Sequence, residues 1–72
     1  MLPTYPTRLA QQMATLPRGA AADLVKHLHI TRDAYNRWAR GNRTPSLSHA
    51  IRTVRWLRSV HGVDTSVEAL WG

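Results

Sequence analysis

The chain has 72 residues, with ten Lys and Arg against four Asp and Glu, a net charge of +6 and no cysteine. A single hydrophobic core is only just sufficient at this length, so we expect one domain over residues 1–72. Without cysteine, neither a disulfide framework nor a thiolate metal site can support that core. No apolar run is long enough for a signal peptide or a membrane span, so we expect a cytoplasmic protein with no membrane partner.

The positive charge is carried almost entirely by arginine. Nine of the ten basic residues are Arg, and seven of these lie within residues 32–58, which contain only one acid, Asp33. Such a surface favours a polyanionic partner. Arg can donate forked hydrogen bonds to phosphate or to the guanine edge, whereas Lys contacts them only as a point charge. A solvated basic face without a partner would have the same composition, so charge alone does not decide.

Apolar residues recur with helical spacing along the whole chain and do not alternate with a period of two. We therefore predict an all-α fold, a compact domain of four or five helices with short connections. Thr31 and Ser46 are good N-caps, and Gly41 and Gly62 are typical of helix ends. The predicted helices occupy approximately residues 6–15, 20–28, 32–40, 47–61 and 66–71.

The same spacing separates core positions from surface positions. In the third predicted helix, Tyr35 and Trp38 share an apolar face with Ala34 and are expected to be buried. Ile30, in the turn before that helix, is expected to plug the space between the second and third helices. In the fourth helix the predicted core stripe contains Leu47, Ala50, Ile51, Val54 and Leu57.

The last part of the chain has apolar residues that this core does not absorb. Trp56 lies nearly opposite the core stripe of the fourth helix, so we predict that it faces outward. The sequence from Thr65 to Glu68 has the spacing of a capping box for a last short helix. The apolar residues left over form the predicted dimer or partner surface: Trp56, Val60, Val63, Val67, Leu70 and Trp71.

The third predicted helix presents a polar face. Asn can pair bidentately with adenine, and Arg with guanine, so a helix that carries both suits base recognition. A short helix and a turn precede it and an Arg-rich loop follows it, which is the order of a helix-turn-helix in the major groove. The residues turned away from the core are Thr31, Arg32, Asp33, Asn36, Arg37 and Arg40.

The segment Tyr35-Asn36-Arg37-Trp38-Ala39-Arg40-Gly41-Asn42-Arg43-Thr44-Pro45-Ser46-Leu47 resembles the phage Cro and repressor-type (XRE-like) helix-turn-helix family. In that family the recognition helix commonly ends in Arg-Trp, followed by Gly, a short basic loop and Pro-Ser-Leu. The likeness covers residues 19–70 and includes a similar closing segment at residues 63–70. The chain departs from the family at Val25, where Ala is usual, at His29, where Gly is usual, and in a longer fourth helix.

The resemblance implies two sets of DNA contacts, and backbone amides at a helix start suit phosphate for independent reasons. The implied base contacts are Thr31, Arg32, Asp33, Asn36 and Arg37. The implied phosphate contacts are Arg18, Gly19 and Ala20 before the second helix and Asn42, Arg43 and Thr44 after the third. We add Arg40, at the end of the third helix, to the phosphate contacts.

Together these features predict a sequence-specific regulator of transcription that binds double-stranded DNA and is associated with the nucleoid. A repressor in the manner of small phage or mobile-element regulators is the simplest form. One recognition helix reads too few base pairs to select a site from a genome, so we expect a homodimer on an inverted-repeat operator.

Two other functions fit the composition. The chain could be a DNA-binding antitoxin or accessory subunit, with the outward Trp56 as the docking residue for its protein partner. It could also bind nucleic acid without sequence preference. We expect no metal, because the spacing of the histidines, His27, His29, His49 and His61, does not match a helical ligand pair. With no phosphate-binding Gly-rich loop and no poised nucleophile, we expect neither an enzyme nor a cofactor or small-molecule ligand.

Overall fold

The computed structural model describes residues 7–72, which form five α-helices and no strand. The all-α prediction is therefore confirmed for that range. The predicted start of the first helix at residue 6 lies outside the described residues, and the helix ends one residue earlier than predicted. The helices are α1 (Arg8–Ala14), α2 (Ala20–Leu28), α3 (Arg32–Arg40), α4 (Leu47–His61) and α5 (Val67–Trp71).

Local side-chain chemistry explains where most helices begin and end. The hydroxyl oxygens of Thr7, Thr31, Ser46 and Ser66 each accept a hydrogen bond from a first-turn amide of the helix that follows. Gly41 (φ 82°) and Gly62 (φ 65°) close α3 and α4 in the left-handed conformation, as predicted.

The capping-box prediction is wrong by one residue. Ser66, and not Thr65, caps α5, since its Oγ accepts from the Ala69 amide at 3.0 Å. Glu68 then lies in the first turn, where its charge suits the helix dipole.

The core is one cluster to which all five helices contribute. Tyr35 and Trp38 are each 6% exposed, so their predicted burial is confirmed. Ile30 is half-buried and packs against the cluster, as the plug prediction requires. The fully buried Thr53 donates its hydroxyl to the His49 carbonyl at 2.8 Å, which satisfies its polar group within α4.

The predicted core stripe of α4 is partly wrong. Trp56 is buried at 5% exposure, whereas Leu47 is 69% and Ile51 is 37% exposed. The reason is that α4 packs against both α2 and α5, so it buries an arc wider than a single stripe. At about 100° per residue, Thr53, Trp56 and Leu57 fall inside that arc, while Leu47 and Ile51 fall outside it.

Two long-range hydrogen bonds hold the ends of α2 and α3. The Thr7 hydroxyl donates to the Ala39 carbonyl at 2.7 Å, which ties the start of α1 to the last turn of α3. The Arg52 Nη2 donates to the His27 carbonyl at 3.1 Å, which places a cation at the carboxyl end of α2. The α2–α3 pair is thus fixed by α1 and α4. Among the described residues, no helix is long and apolar enough to cross a membrane.

Candidate nucleic-acid interface

The connection from α2 to α3 is three residues long and tightly bonded. His29 adopts a left-handed conformation with φ 56°, which few residues other than glycine adopt. The Ile30 amide then donates back to the Val25 carbonyl at 3.2 Å, and Thr31 caps α3. His29 therefore occupies a turn position whose left-handed backbone favours Gly.

The two sides of α3 have opposite character. Tyr35 and Trp38 are buried on one side, while Arg37 and Arg40 are exposed on the other. Asn36 is half-buried between them. The structure places four predicted base contacts on the side of α3 away from Tyr35 and Trp38, namely Arg32, Asp33, Asn36 and Arg37, and the fifth, Thr31, at the exposed N-cap.

The exposed face of α3 contains an ion pair and a cation–π contact. The Arg37 Nε lies 3.1 Å from Asp33 Oδ2, one helical turn away. The Arg32 guanidinium lies over the Tyr35 ring, 5.7 Å from its centroid. Burial raises the pKa of the Tyr35 phenol above its ordinary value, and the Arg32 charge lowers it by less. The phenol is therefore neutral at physiological pH.

A groove of about 390 Å³ lies beside this face, between α3 and the start of α4. Arg37 of α3 and Arg43 of the following loop both line this groove. The His49 ring lies 5.7 Å from the Trp38 ring, and its Nδ1 lies 3.2 Å from the Ser46 Oγ. His49 was not predicted to belong to this region, although Ser46, three residues before it, was predicted as the helix cap.

The first two backbone amides of the loop after α3 are bonded within the chain. The amides of Asn42 and Arg43 both donate to the Arg37 carbonyl, at 3.0 and 3.3 Å. Asn42, Arg43 and Thr44 are exposed. Phosphate contacts from the side chains of this loop would come from the Arg43 guanidinium, the side-chain amide of Asn42 and the hydroxyl of Thr44.

The start of α2 differs from its predicted role at one position. Ala20 is buried, and its backbone amide donates to the Pro17 carbonyl at 3.1 Å, so this amide is not available to a phosphate. Gly19 has a left-handed φ of 92°, and no side chain caps α2. Arg18 and Gly19 are exposed and remain the predicted contacts on this side.

No family model, characterised protein or solved structure matches the chain. The case for a function therefore rests on the residues and their geometry. Within residues 7–72, His, Asp and Glu side chains form no group of three that could hold a metal ion.

The predicted partner surface is largely part of the core. Trp56 is buried and makes an edge contact with the His61 ring at 4.6 Å between centroids, so the prediction that it faces outward is wrong. Leu70 is also buried, at 6% exposure. Val60 remains 61% exposed. The other predicted members are half-buried and pack against the core: Val63, Val67 and Trp71.

The antitoxin hypothesis depended on an outward Trp56 as its docking residue. Since Trp56 lies in the core, that hypothesis loses the feature that distinguished it from a regulator.

Proposed function

We propose that the chain is a sequence-specific, double-stranded-DNA-binding regulator of transcription, with α2 and α3 as a helix-turn-helix and α3 as the recognition helix. The observation that carries this proposal is the two-sided character of α3. Tyr35 and Trp38 anchor one side in the core, while Asn36 and Arg37 lie toward the other. A short helix anchored in this way can present amide and guanidinium groups to base edges in the major groove.

The supports around α3 favour the same function. A recognition helix has to be held rigidly, because base contacts require accurate placement of side chains. The Thr7 hydroxyl binds the last turn of α3, and Arg52 binds the last turn of α2. The sequence resemblance to the Cro and repressor-type family supports the same function.

The flanks of α3 supply the electrostatic part of the proposal. Three arginines at these flanks are exposed: Arg40 at the end of α3, Arg43 in the loop after it, and Arg18 before α2. These cations are placed to contact phosphates on either side of a groove occupied by α3. The net charge of +6 would add a salt-dependent attraction to any DNA.

Repression by a homodimer is the simplest mode of action. A two-fold dimer would place its two α3 helices about 34 Å apart on successive turns of the major groove. Such a dimer on a promoter would exclude polymerase. The contact surface proposed for the dimer is the exposed Val60 with the half-buried Val63, Val67 and Trp71.

Selection of bound sites from a random duplex pool, at near-physiological salt, tests this function. We expect enrichment of an inverted repeat with half-sites about one helical turn apart. A pool that emerges unenriched while the protein still binds DNA would instead identify a non-specific nucleic-acid-binding module.

Single variants test the assigned roles on the selected site. Asn36→Ala should relax the preference at one base pair by about 1–3 kcal/mol. Arg43→Ala should weaken binding to all sequences alike and reduce the salt slope by about 1. Arg58→Ala is the matched control, because it removes the same charge from an exposed position in the carboxyl-terminal half of α4.

A further inference from the structure

We infer that Asp33 is a positioning residue for base recognition, and that it holds Arg37 in the orientation that reads guanine. The inference rests on the proposed function. It starts from the one acid within the Arg-rich stretch of residues 32–58. An acid on a surface that meets a polyanion weakens the attraction, so its location there needs a reason.

The geometry of the ion pair supplies that reason. Asp33 Oδ2 lies 3.1 Å from the Arg37 Nε, on the inner edge of the guanidinium. The guanidinium is a planar fork, so fixing this edge also fixes the direction of the Nη1 and Nη2 donors. Two donors from the outer end of that fork are what a bidentate contact with guanine O6 and N7 requires.

Stability does not explain the pair. The Arg37 and Asp33 side chains are 51% and 73% exposed, and exposed ion pairs one helical turn apart contribute little to folding. Asp33 also lies in the first turn of α3, where a carboxylate favours the helix dipole. The dipole effect would change the stability of α3 but not which base it prefers, so the two roles can be separated.

The position of Arg32 assigns the guanine contact to Arg37. Arg32 lies over the Tyr35 ring, whereas Arg37, five residues further along α3, lines the groove with Arg43. Asp33 lines the same groove. Entry of a base edge would remove water from the pair and strengthen it. We therefore expect one guanine in each half-site that depends on both Asp33 and Arg37.

The experiment compares binding-site selections for the wild-type protein and for Asp33→Ala, Arg37→Ala and Glu68→Ala. Arg37→Ala should lose one guanine from the selected half-site. Asp33→Ala should lower the preference for that same guanine about three- to tenfold, which is part of the discrimination that a bidentate contact provides. Preferences elsewhere in the site should stay unchanged. Glu68→Ala, which removes an acid from the first turn of α5, should change no preference.

The decisive quantity is the ratio of two affinities, one for the selected duplex and one for the same duplex with 7-deazaguanine, which lacks the N7 acceptor, at the assigned position. The ratio is internal to each variant, so general changes in charge or stability cancel. The loss in the double variant Asp33→Ala/Arg37→Ala should not exceed that of Arg37→Ala alone.

Several results would overturn the inference. One is a wild-type ratio that Arg37→Ala abolishes and Asp33→Ala leaves intact; the proposed function would then stand without a role for Asp33. Another is an enriched site in which no guanine responds to Arg37→Ala. An unenriched wild-type pool would instead remove the proposed function, and the inference with it.

Discussion

The polar groups on the exposed face of α3 are paired and reached by water, whereas polar groups near Trp56 are buried without a partner. On α3, Asp33 and Arg37 pair at the surface, where water reaches both side chains. In the core, by contrast, the Nε2 of His61, whose ring contacts Trp56, and the Nε1 of Trp71 are buried and make no hydrogen bond within the described residues. Buried polar atoms of that kind are tolerated where surrounding apolar contacts outweigh their cost. Substitutions in the two regions should therefore affect different properties: recognition on α3 and stability around Trp56.

The largest effect is expected from Trp56→Ala. Because Trp56 belongs to the buried cluster, its removal should lower the free energy of unfolding by about 3–5 kcal/mol. In the monomer, Val60→Ala, four residues further along α4 and 61% exposed, should change it by less than about 0.5 kcal/mol. Urea unfolding followed by tryptophan fluorescence measures both. Equal, small losses in the two variants would place Trp56 outside the core and remove the contrast.

A pair of matched caps gives a smaller and sharper test. Thr31 and Ser66 each accept a first-turn amide at 3.0 Å, in α3 and in α5. Replacing either by Ala should lower the free energy of unfolding by about 1 kcal/mol. Only Thr31→Ala should also weaken binding to the selected DNA site, because Thr31 lies on the proposed interface. An equal loss of affinity in Ser66→Ala, measured where both variants are folded, would contradict the division into two regions.

The smallest effect concerns Tyr35, which joins the two regions. Burial raises the pKa of its phenol in the folded protein, while the Arg32 charge opposes this to a smaller extent. The unfolded chain therefore loses this proton first as the pH rises. The stability that the neutral phenol contributes is complete below its ordinary pKa of 10.0 and is lost as pH rises through the folded pKa.

Comparison with Tyr35→Phe isolates this titration. The stability difference between wild type and Tyr35→Phe should be constant in the neutral range and should shift against the wild type above about pH 10. Urea unfolding across that range is the measurement. A difference that stays flat would show that the phenol titrates alike in both states.

Features that depend on a few neighbouring residues could be predicted from the sequence. Thr31 and Ser46 cap helices whose first-turn amides lie three residues further on, and Gly41 ends a helix through its own backbone preference. Tyr35 and Trp38 share a face within one helix, so their burial followed from spacing alone. The exposed face of α3 was predictable for the same reason.

Features that depend on distant elements could not be predicted in this way. Trp56 is buried because α4 packs against two other helices, and spacing within α4 does not count its neighbours. The hydrogen bond from Arg52 to His27 joins residues 25 positions apart, so no spacing within one helix could predict it. The phosphate contact of Ala20 was implied by the resemblance alone, and in the structure its amide donates to the Pro17 carbonyl instead.

Thr7 connects the first turn of α1 to the last turn of α3. Its Oγ1 accepts from the Ala10 amide at 3.1 Å and donates to the Ala39 carbonyl at 2.7 Å, and its methyl carbon lies 3.2 Å from where a Cβ on Gly41 would stand. Fraying of α1 at Thr7 would therefore also break the hydrogen bond from Thr7 to the last turn of α3. We therefore expect that a fluctuation which opens the start of α1 at residue 7 also loosens the end of the helix that we assign to base recognition.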